Sequence, residues 1–304
     1  MKPSRDIARL TDEMLDARQR ARLLQLNGIE RLIVRKLLAE MRDALEEKDG
    51  VITSRLQYSA LAKRVDAVFD AVQQKGLGDL GAQLVNDMKG VLKFNSDYNK
   101  SLQAVKGGQF KAIRAAVDAA MRKRLGIDSE DAIRPKGYLA QLFNTRPSRE
   151  ELAKMVAKLV AAKIPMRKFE RALRVKVAGT KDTQGLLEKH LGGFVLDTYQ
   201  VADSITNNEF AKRMGLRYFI YSGGLIETSR EFCRKRNNKV FTTEEAAKWP
   251  DDPTLPRTKA EADSGVLTDY VPLEDRGRWR CRHRLLYIPE EEAFRRRPEL
   301  RPKA

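Results

Sequence analysis

Apolar residues recur at three- and four-residue intervals along the first two thirds of the chain, the spacing of one face of an α-helix. The first run extends from about Ser4 to Lys48, with Ser4 as its N-cap and Asp49-Gly50 as its stop. Such a helix gains most of its stability by packing its apolar face on a neighbour. The pattern predicts a long amphipathic helix that contacts other helices or another subunit.

Further helical runs follow, separated by glycine, proline and asparagine residues. We predict a break at residues 95–99, where asparagines interrupt the apolar pattern. Ser148 is predicted to cap a helix that stops before Pro165. The other predicted helices cover residues 54–75 and 79–94, a stretch that ends near 125, and residues 166–177 and 183–214.

From Gly215 the pattern changes to the two-residue alternation of β-strands. The predicted elements are strands at 216–221, 240–241 and 279–288 and a short helix at 243–248 capped by Thr242 or Thr243. We therefore predict a mainly α fold, in which long helices form an extended helical body and a small α+β module lies at the C-terminus.

These patterns divide the chain into four consecutive segments. Residues 1–145 form an N-terminal helical region and 146–214 a helical middle region. Residues 215–294 form the small Cys- and Arg-rich α+β module, and 295–304 a charged, frayed tail.

The charge of the chain indicates an anionic partner. The net charge is +17 and the isoelectric point is about 9.9, which favours nucleic acid, an anionic membrane or an acidic protein. The positive charge is spread along the chain but densest after position 275. The candidate nucleic-acid contacts are Arg276, Arg278, Arg280, Arg284, Arg295, Arg296 and Arg297. Trp279 lies among them and could stack on bases, but its strand spacing favours a core position.

Several function classes lack their signatures. No run of 18 apolar residues predicts a membrane span, and the start has no secretory h-region. The nucleotide-binding, metalloprotease and serine-hydrolase motifs are absent, and His190 and His283 are the two histidines. We expect a protein that binds or scaffolds, with no catalytic residues and no cofactor.

Three interpretations of the cysteines stay open. Cys233, Cys281 and His283 could bind a metal, since Cys281 and His283 would share one side of a strand. Three ligands without a C-x-x-C pair are fewer than a closed zinc site needs, so we predict no metal. The cysteines could instead form a disulfide or a close thiol pair, or be small buried hydrophobes. Arg230 and Arg282 are predicted to bind Glu227, Glu231 or backbone carbonyls, or to be solvated.

Short motifs in the last third carry a resemblance. They are Thr228-x-Arg230-x-x-Cys233, the turn Asn238-Lys239-Val240-Phe241, and Cys281-Arg282-His283, preceded by an aromatic strand and Gly223-Gly224. Over about residues 195–290 the chain resembles the C-terminal region of tailed-phage minor head proteins of the Mu F-like head-morphogenesis type. It departs from that pattern at Asn238, where a glycine is usual, and in the Gly-Arg-Trp that precedes Cys281.

The resemblance implies a minor structural protein of a virion that is made in the host cytoplasm. It implies a position at the portal vertex, the capsid interior or the head–tail connector. The expected partners are portal, capsid or connector subunits, copies of the chain itself, and packaged DNA bound non-specifically. The residues expected to hold the module are Arg230, Cys233, Trp279, Cys281, Arg282 and His283. The alternative is a sequence-independent nucleic-acid-binding protein that acts outside a particle.

Overall fold

The computed structural model describes residues 2–264, 267–268 and 270–302. The chain is mainly α with a small α+β region at its C-terminal end, which confirms the predicted fold class. Helix α1 (Lys2–Ala44) leads into an antiparallel hairpin of β1 (Glu47–Lys48) and β2 (Val51–Ile52). No described helix has the length and apolar composition needed to cross a membrane.

The next helices are α2 and α3. Helix α2 (Tyr58–Val72) continues through a π-helical turn (Gln73–Leu77) into α3 (Gly78–Ser101). The break predicted at residues 95–99 is wrong, because α3 runs through it. Asn95 and Asn99 are fully buried, and hydrogen bonds from their side chains offset the low helix propensity of asparagine.

Four helices complete the helical part of the chain. They are α4 (Gly107–Leu125), α5 (Arg146–Ala161), α6 (Met166–Ala178) and α7 (Gly193–Met214), with a 3₁₀ turn at Tyr138–Phe143 and a π-helical turn at Glu188–Gly192. Helix α5 begins before the predicted cap, and Ser148 is a buried residue of its first turns.

The C-terminal module contains a three-stranded antiparallel sheet. Its strands are β3 (Tyr218–Ser222), β4 (Val240–Thr242) and β5 (Arg284–Ile288), in the order β4-β3-β5. Between and after them lie α8 (Glu231–Arg236), α9 (Thr243–Ala246), a 3₁₀ turn (Trp249–Asp251), α10 (Lys259–Ser264), α11 (Pro272–Asp275), α12 (Glu290–Arg296) and a second 3₁₀ turn (Pro298–Leu300). Thr242 caps α9 through a reciprocal capping box with Glu245.

Alternation along β3 separates the two faces of the sheet. Phe219 and Tyr221 point into an aromatic core with Phe232 and Trp249, and Trp249 meets Phe219, Tyr221 and Phe232 edge to face. A smaller core on the other face contains Val240, Ile288 and Ala293.

Two predictions at the end of the chain are wrong. The last strand begins at Arg284 rather than at position 279, because residues 279–283 form a loop. Residues 295–302 are not a frayed tail, because Arg295 and Arg296 belong to α12. Arg297 donates two hydrogen bonds of 2.7 Å to the Glu245 carboxylate, which ties the segment to α9.

The chain divides into two compact units, each assembled from segments that are distant in sequence. One consists of Met1–Ala17, Asp87–Leu125 and Leu196–Ala304, and it contains the module. The other consists of Arg18–Asn86 and Gly126–Val195.

Candidate functional site: a cysteine–histidine cluster held by arginines

Cys233, Cys281 and His283 converge in the core of the module. Cys233 lies on α8, whereas Cys281 and His283 lie on the loop that enters β5. All three are buried, and their Sγ and ring nitrogen atoms lie within 4.8 Å of one another. The two Sγ atoms are 3.9 Å apart and both thiols are free. The pair is therefore the close thiol pair that the sequence left open, without a bond between the sulfurs.

Tyr221 completes the cluster, and the sequence analysis did not single it out. Its hydroxyl lies 3.5 Å from the Cys233 Sγ and 3.4 Å from the Cys281 Sγ. Its ring stacks on the His283 imidazole with centroids 4.8 Å apart. Burial raises the pKa of the Tyr221 hydroxyl far above its ordinary value, so this group stays a neutral donor. The sequence signal that could have identified Tyr221 is its alternation with Phe219, which places both side chains on the same face of β3.

Two glycines permit the close approach of these side chains. A Cβ added to Gly277 would lie 2.7 Å from the Cys233 Sγ and 3.1 Å from the Cys281 Sγ. A Cβ added to Gly223 would lie 2.8 Å from the His283 ring. Any larger residue at either position would displace the cluster.

The thiols have opposite pKa shifts. A hydrogen bond from the Cys233 thiol, assisted by His283 and the positive charge of Arg276, holds the pKa of Cys281 well below its usual range. Hydrogen bonding to Cys281 and burial raise the pKa of Cys233. These opposite shifts make Cys281 the stronger acid of the pair.

Arginines hold the loop that carries Cys281. Arg230 donates hydrogen bonds of 2.7 Å to the carbonyls of Gly277 and Trp279, which is one of the alternatives left open for this side chain. Arg276, Arg278 and Arg280 all have positive φ, between 51° and 66°. Such backbone conformations persist only where surrounding contacts hold them. The loop is thus a strained segment, and hydrogen bonds from Arg230, at the start of α8, hold it in place.

Trp279 is not a core residue. Its side chain is 44% exposed, and the Arg278 and Arg230 guanidinium groups lie 4.7 and 5.8 Å from its ring centroid. Since the predicted strand does not extend to position 279, the alternation that suggested burial does not apply. The indole instead forms cation–π contacts over the arginine clamp.

Arg278 is fixed by a nearly buried ion pair with Glu261. Its guanidinium donates bonds of 2.6 and 2.9 Å to the two carboxylate oxygens. Hydrogen bonds from Arg278 and from the Thr258 amide hold the pKa of Glu261 well below its ordinary value. This pair attaches α10 to the loop.

Most of the predicted nucleic-acid contacts bind other residues of the chain. Arg276 is buried and donates to the carbonyls of His283 and Gln200. Arg284 is buried and paired with Asp203 at 2.8 Å. The pairs at the end of the chain are Arg295 and Arg296 with Glu292, and Arg297 with Glu245.

The prediction that Arg276 and Arg284 contact nucleic acid is thus wrong, because both side chains are buried. Arg280 and Arg282 remain exposed, with no side-chain hydrogen bond or ion pair to the described residues. Of the two alternatives left open for Arg282, the solvated one holds. A cavity of about 260 Å³ lies beside the cluster and reaches both exposed arginines, and Thr228 and Ser229 line it as well.

A different surface presents cations to solvent. Arg31 and Arg35 of α1 and Arg174 of α6 line one groove, and Lys168 and Arg171, also of α6, line a second groove. All five side chains are exposed, and they form no ion pair with described residues. We call these five residues the basic surface. Local charge density along the sequence does not reveal this surface, because its residues come from two helices that are distant in sequence.

Comparison with known proteins gives no support from relatives for any assignment. No protein-family model matches the chain, and neither the curated proteins nor the solved structures contain a match.

Proposed function

We propose that the chain is a minor structural protein of a tailed-phage virion, associated with the portal vertex, the capsid interior or the head–tail connector. The observation that carries the proposal is the meeting of three separated motifs in one module. Arg230 and Cys233 of the first motif contact the loop that carries Cys281 and His283 of the last. Residues that resemble a family pattern therefore belong to one framework.

The middle motif belongs to the same framework. The amide of Asn238 donates to the Tyr221 carbonyl at 2.7 Å, and the amide of Tyr221 donates to the Lys239 carbonyl at 3.0 Å. Asn238 has a φ of 59°, the left-handed conformation for which a glycine is suited. The departure from the family pattern at this position thus keeps the turn.

The module supports a scaffolding role over catalysis. The polar groups around the cluster are mostly engaged in holding loops, as with Arg230 on two carbonyls and Arg278 on Glu261. The cluster resides inside an aromatic core. We infer that the expected partners are portal, capsid or connector subunits and further copies of the chain.

The test is incorporation into particles. The gene is deleted from the phage genome that encodes it and supplied in trans, and purified particles are analysed by mass spectrometry. We expect the chain in each preparation at a few copies relative to the portal, and defective heads without it. Normal infectious particles that lack the chain would contradict the proposal.

A second candidate is sequence-independent binding to duplex DNA, and the basic surface favours it. Five cations without ion-pair partners lie on two adjacent helices, where they can attract the phosphates of a nucleic-acid backbone. Such attraction does not require a particular base sequence. The surface contains no aromatic side chain that could stack on bases. Binding would thus be governed by charge, whether the DNA is packaged or free.

Charge reversal tests this second candidate. The double substitution Arg171→Glu and Arg174→Glu should weaken retention of a random-sequence duplex by at least about tenfold at low salt. The matched control is Lys111→Glu with Arg114→Glu on α4, which changes the net charge equally at exposed positions. Equal weakening by both pairs would assign the binding to net charge and refute the surface.

A further inference from the structure

The cysteine–histidine cluster has the donor atoms that borderline-soft divalent metal ions select. Two thiol sulfurs and one imidazole nitrogen approach one another, and cysteine and histidine are the usual protein ligands of Zn²⁺. The ligands come from α8 and from the loop before β5. A bound ion would therefore join two parts of the module that are 48 residues apart in sequence.

Two of the three donor separations are close to those of tetrahedral coordination, and the third, between the Cys233 Sγ and the His283 nitrogen, is within 4.8 Å. With Zn–S bonds of about 2.3 Å and Zn–N bonds of about 2.0 Å, a tetrahedral ion separates two sulfurs by about 3.8 Å and a sulfur from a nitrogen by about 3.5 Å. The Cys233 and Cys281 Sγ atoms are 3.9 Å apart, and the His283 Nδ1 lies 3.9 Å from the Cys281 Sγ. A disulfide would instead need an S–S distance of about 2.0 Å.

Two further observations favour a bound ligand: space beside the two sulfurs, and a buried imidazole with few polar partners. The position that a Gly277 Cβ would occupy lies between the two sulfurs, so glycine leaves that side of the cluster open. His283 is 3% exposed, and its Nε2 has no hydrogen-bond partner among the described residues. Its Nδ1 meets only the Cys281 sulfur, at a distance too long for a strong hydrogen bond. A metal bond to the Nδ1 would replace this weak sulfur contact with a strong polar interaction, and would leave the unpartnered Nε2 as it is.

The local charges also suit a cation bound to thiolates. The buried Arg276 guanidinium, which donates to the His283 carbonyl, places a positive charge beside the cluster that stabilises thiolates, the form of cysteine that binds metal. Two thiolates would neutralise one divalent ion, so the net charge beside Arg230 and Arg276 would stay as it is with neutral thiols. The Tyr221 hydroxyl lies within reach of both sulfurs and can donate to one of them.

We propose that Cys233, Cys281 and His283 bind one divalent metal ion of the zinc class, with water as the fourth ligand. The fourth position faces the cavity lined by Thr228, Ser229 and Arg280. The ion stabilises the module by linking α8 to the entry of β5. The inference rests on the geometry of the cluster alone and stands or fails separately from the virion assignment.

Titration with Co²⁺ tests the site. The full-length reduced chain is freed of metal with a chelator and titrated with Co²⁺ under anaerobic conditions. We expect thiolate-to-cobalt charge-transfer absorption and intense visible bands of tetrahedral geometry that saturate at one equivalent. Zn²⁺ should then displace Co²⁺ and raise the melting temperature.

The two histidines provide a matched pair of variants. His283→Gln should weaken Co²⁺ binding by at least about tenfold and change its spectrum, as expected for loss of a ligand. His190→Gln should leave both unchanged, because His190 contacts Glu151 in the other compact unit. Cys233→Ser and Cys281→Ser should each remove charge-transfer intensity. Circular dichroism establishes that each variant is folded.

Protection of the thiols gives a readout that needs no variant. One equivalent of Zn²⁺ should slow the reaction of both cysteines with a thiol reagent by at least about tenfold. A folded, reduced chain that gives no tetrahedral spectrum and no protection would overturn the proposal. So would a spectrum that survives His283→Gln in folded protein, or a chain that forms the Cys233–Cys281 disulfide and binds no Co²⁺ after reduction.

Discussion

Glu30 shows how a single buried carboxylate can set the pH dependence of stability. It is fully buried on α1; one oxygen accepts a hydrogen bond of 2.8 Å from the Glu188 amide and the other is buried without a partner. Burial, opposed by backbone donors from Glu188 and Leu187, raises the pKa of Glu30 to about 7. The folded state thus favours the neutral acid.

The sign of the effect follows from proton linkage. As the pH rises from about 4.5 to about 7, the unfolded state releases this proton first, so Glu30 progressively destabilises the fold, by up to about 3 kcal/mol. We therefore predict that Glu30→Gln increases the free energy of unfolding at pH 8 but changes it little at pH 4. Urea denaturation across this range measures the difference. A constant difference between variant and wild type at all pH values would contradict the prediction.

Arg230 and Arg282 give a second test at the level of residues, because both belong to the module motifs. Arg230 holds two carbonyls of the strained loop, whereas Arg282 is exposed. Arg230→Ala should lower the free energy of unfolding by about 2 kcal/mol, the scale of lost charge-assisted hydrogen bonds. Arg282→Ala should change it by less than about 0.5 kcal/mol. Chemical denaturation compares them, and equal losses would show that Arg230 is not a clamp.

At the level of elements, a buried polar network joins α3, α7 and β5. Arg284 of β5 donates to both oxygens of Asp203 on α7 at 2.8 and 2.9 Å, and to the side-chain oxygen of Asn95 on α3 at 3.1 Å. Asn95 donates in turn to Asp203 and Thr206. A network of this kind fixes the register of the elements, because each buried polar atom needs its partner.

Two carboxylates bind Arg284 with very different exposure, which gives an internal comparison. The side chain of Asp203 is 1% exposed and that of Asp12 is 56% exposed. We predict that Asp203→Asn costs about 3 kcal/mol or more, because it leaves a buried guanidinium without its main counter-charge. Asp12→Asn should cost less than about 1 kcal/mol. Thermal and urea unfolding measure both, and similar losses would contradict the network.

At the level of the whole molecule, net charge and accessible charge are different quantities. The chain carries a net charge of +17, yet several arginines of its most basic segment are enclosed or paired. The basic surface, which comes from α1 and α6, is one exposed group of cations that lines grooves. The number of phosphates neutralised should therefore follow the basic surface and not the net charge.

Salt dependence measures that number. If the five cations of the basic surface each neutralise one phosphate, the logarithm of the DNA-binding constant should fall with the logarithm of salt concentration at a slope of about −4.5. The pair Arg171→Glu and Arg174→Glu should make the slope shallower by about two. A slope beyond about −8 would mean that much more of the net charge takes part.

The sequence by itself determined the features that depend on local repetition. Helical periodicity predicted α1, α2 and α6 within a few residues, and alternation predicted β3. The strand spacing that placed Cys281 and His283 on one side does not account for their approach, because residues 279–283 form a loop. These features are local because each residue's backbone preference and apolar face are read from near neighbours.

Only the tertiary structure decided which polar residues are inside. From the sequence, the asparagines of α3 predicted a helix break, and Arg276 and Arg284 were predicted to be surface charges. In the structure these residues are buried, and they bind partners more than 70 positions away. Tyr221, Gly277 and Arg230 also lie at the cysteine cluster because the fold brings distant segments together. A polar group can be buried only where distant segments supply its hydrogen-bond or ion-pair partners, and a local sequence pattern does not show which segments those are.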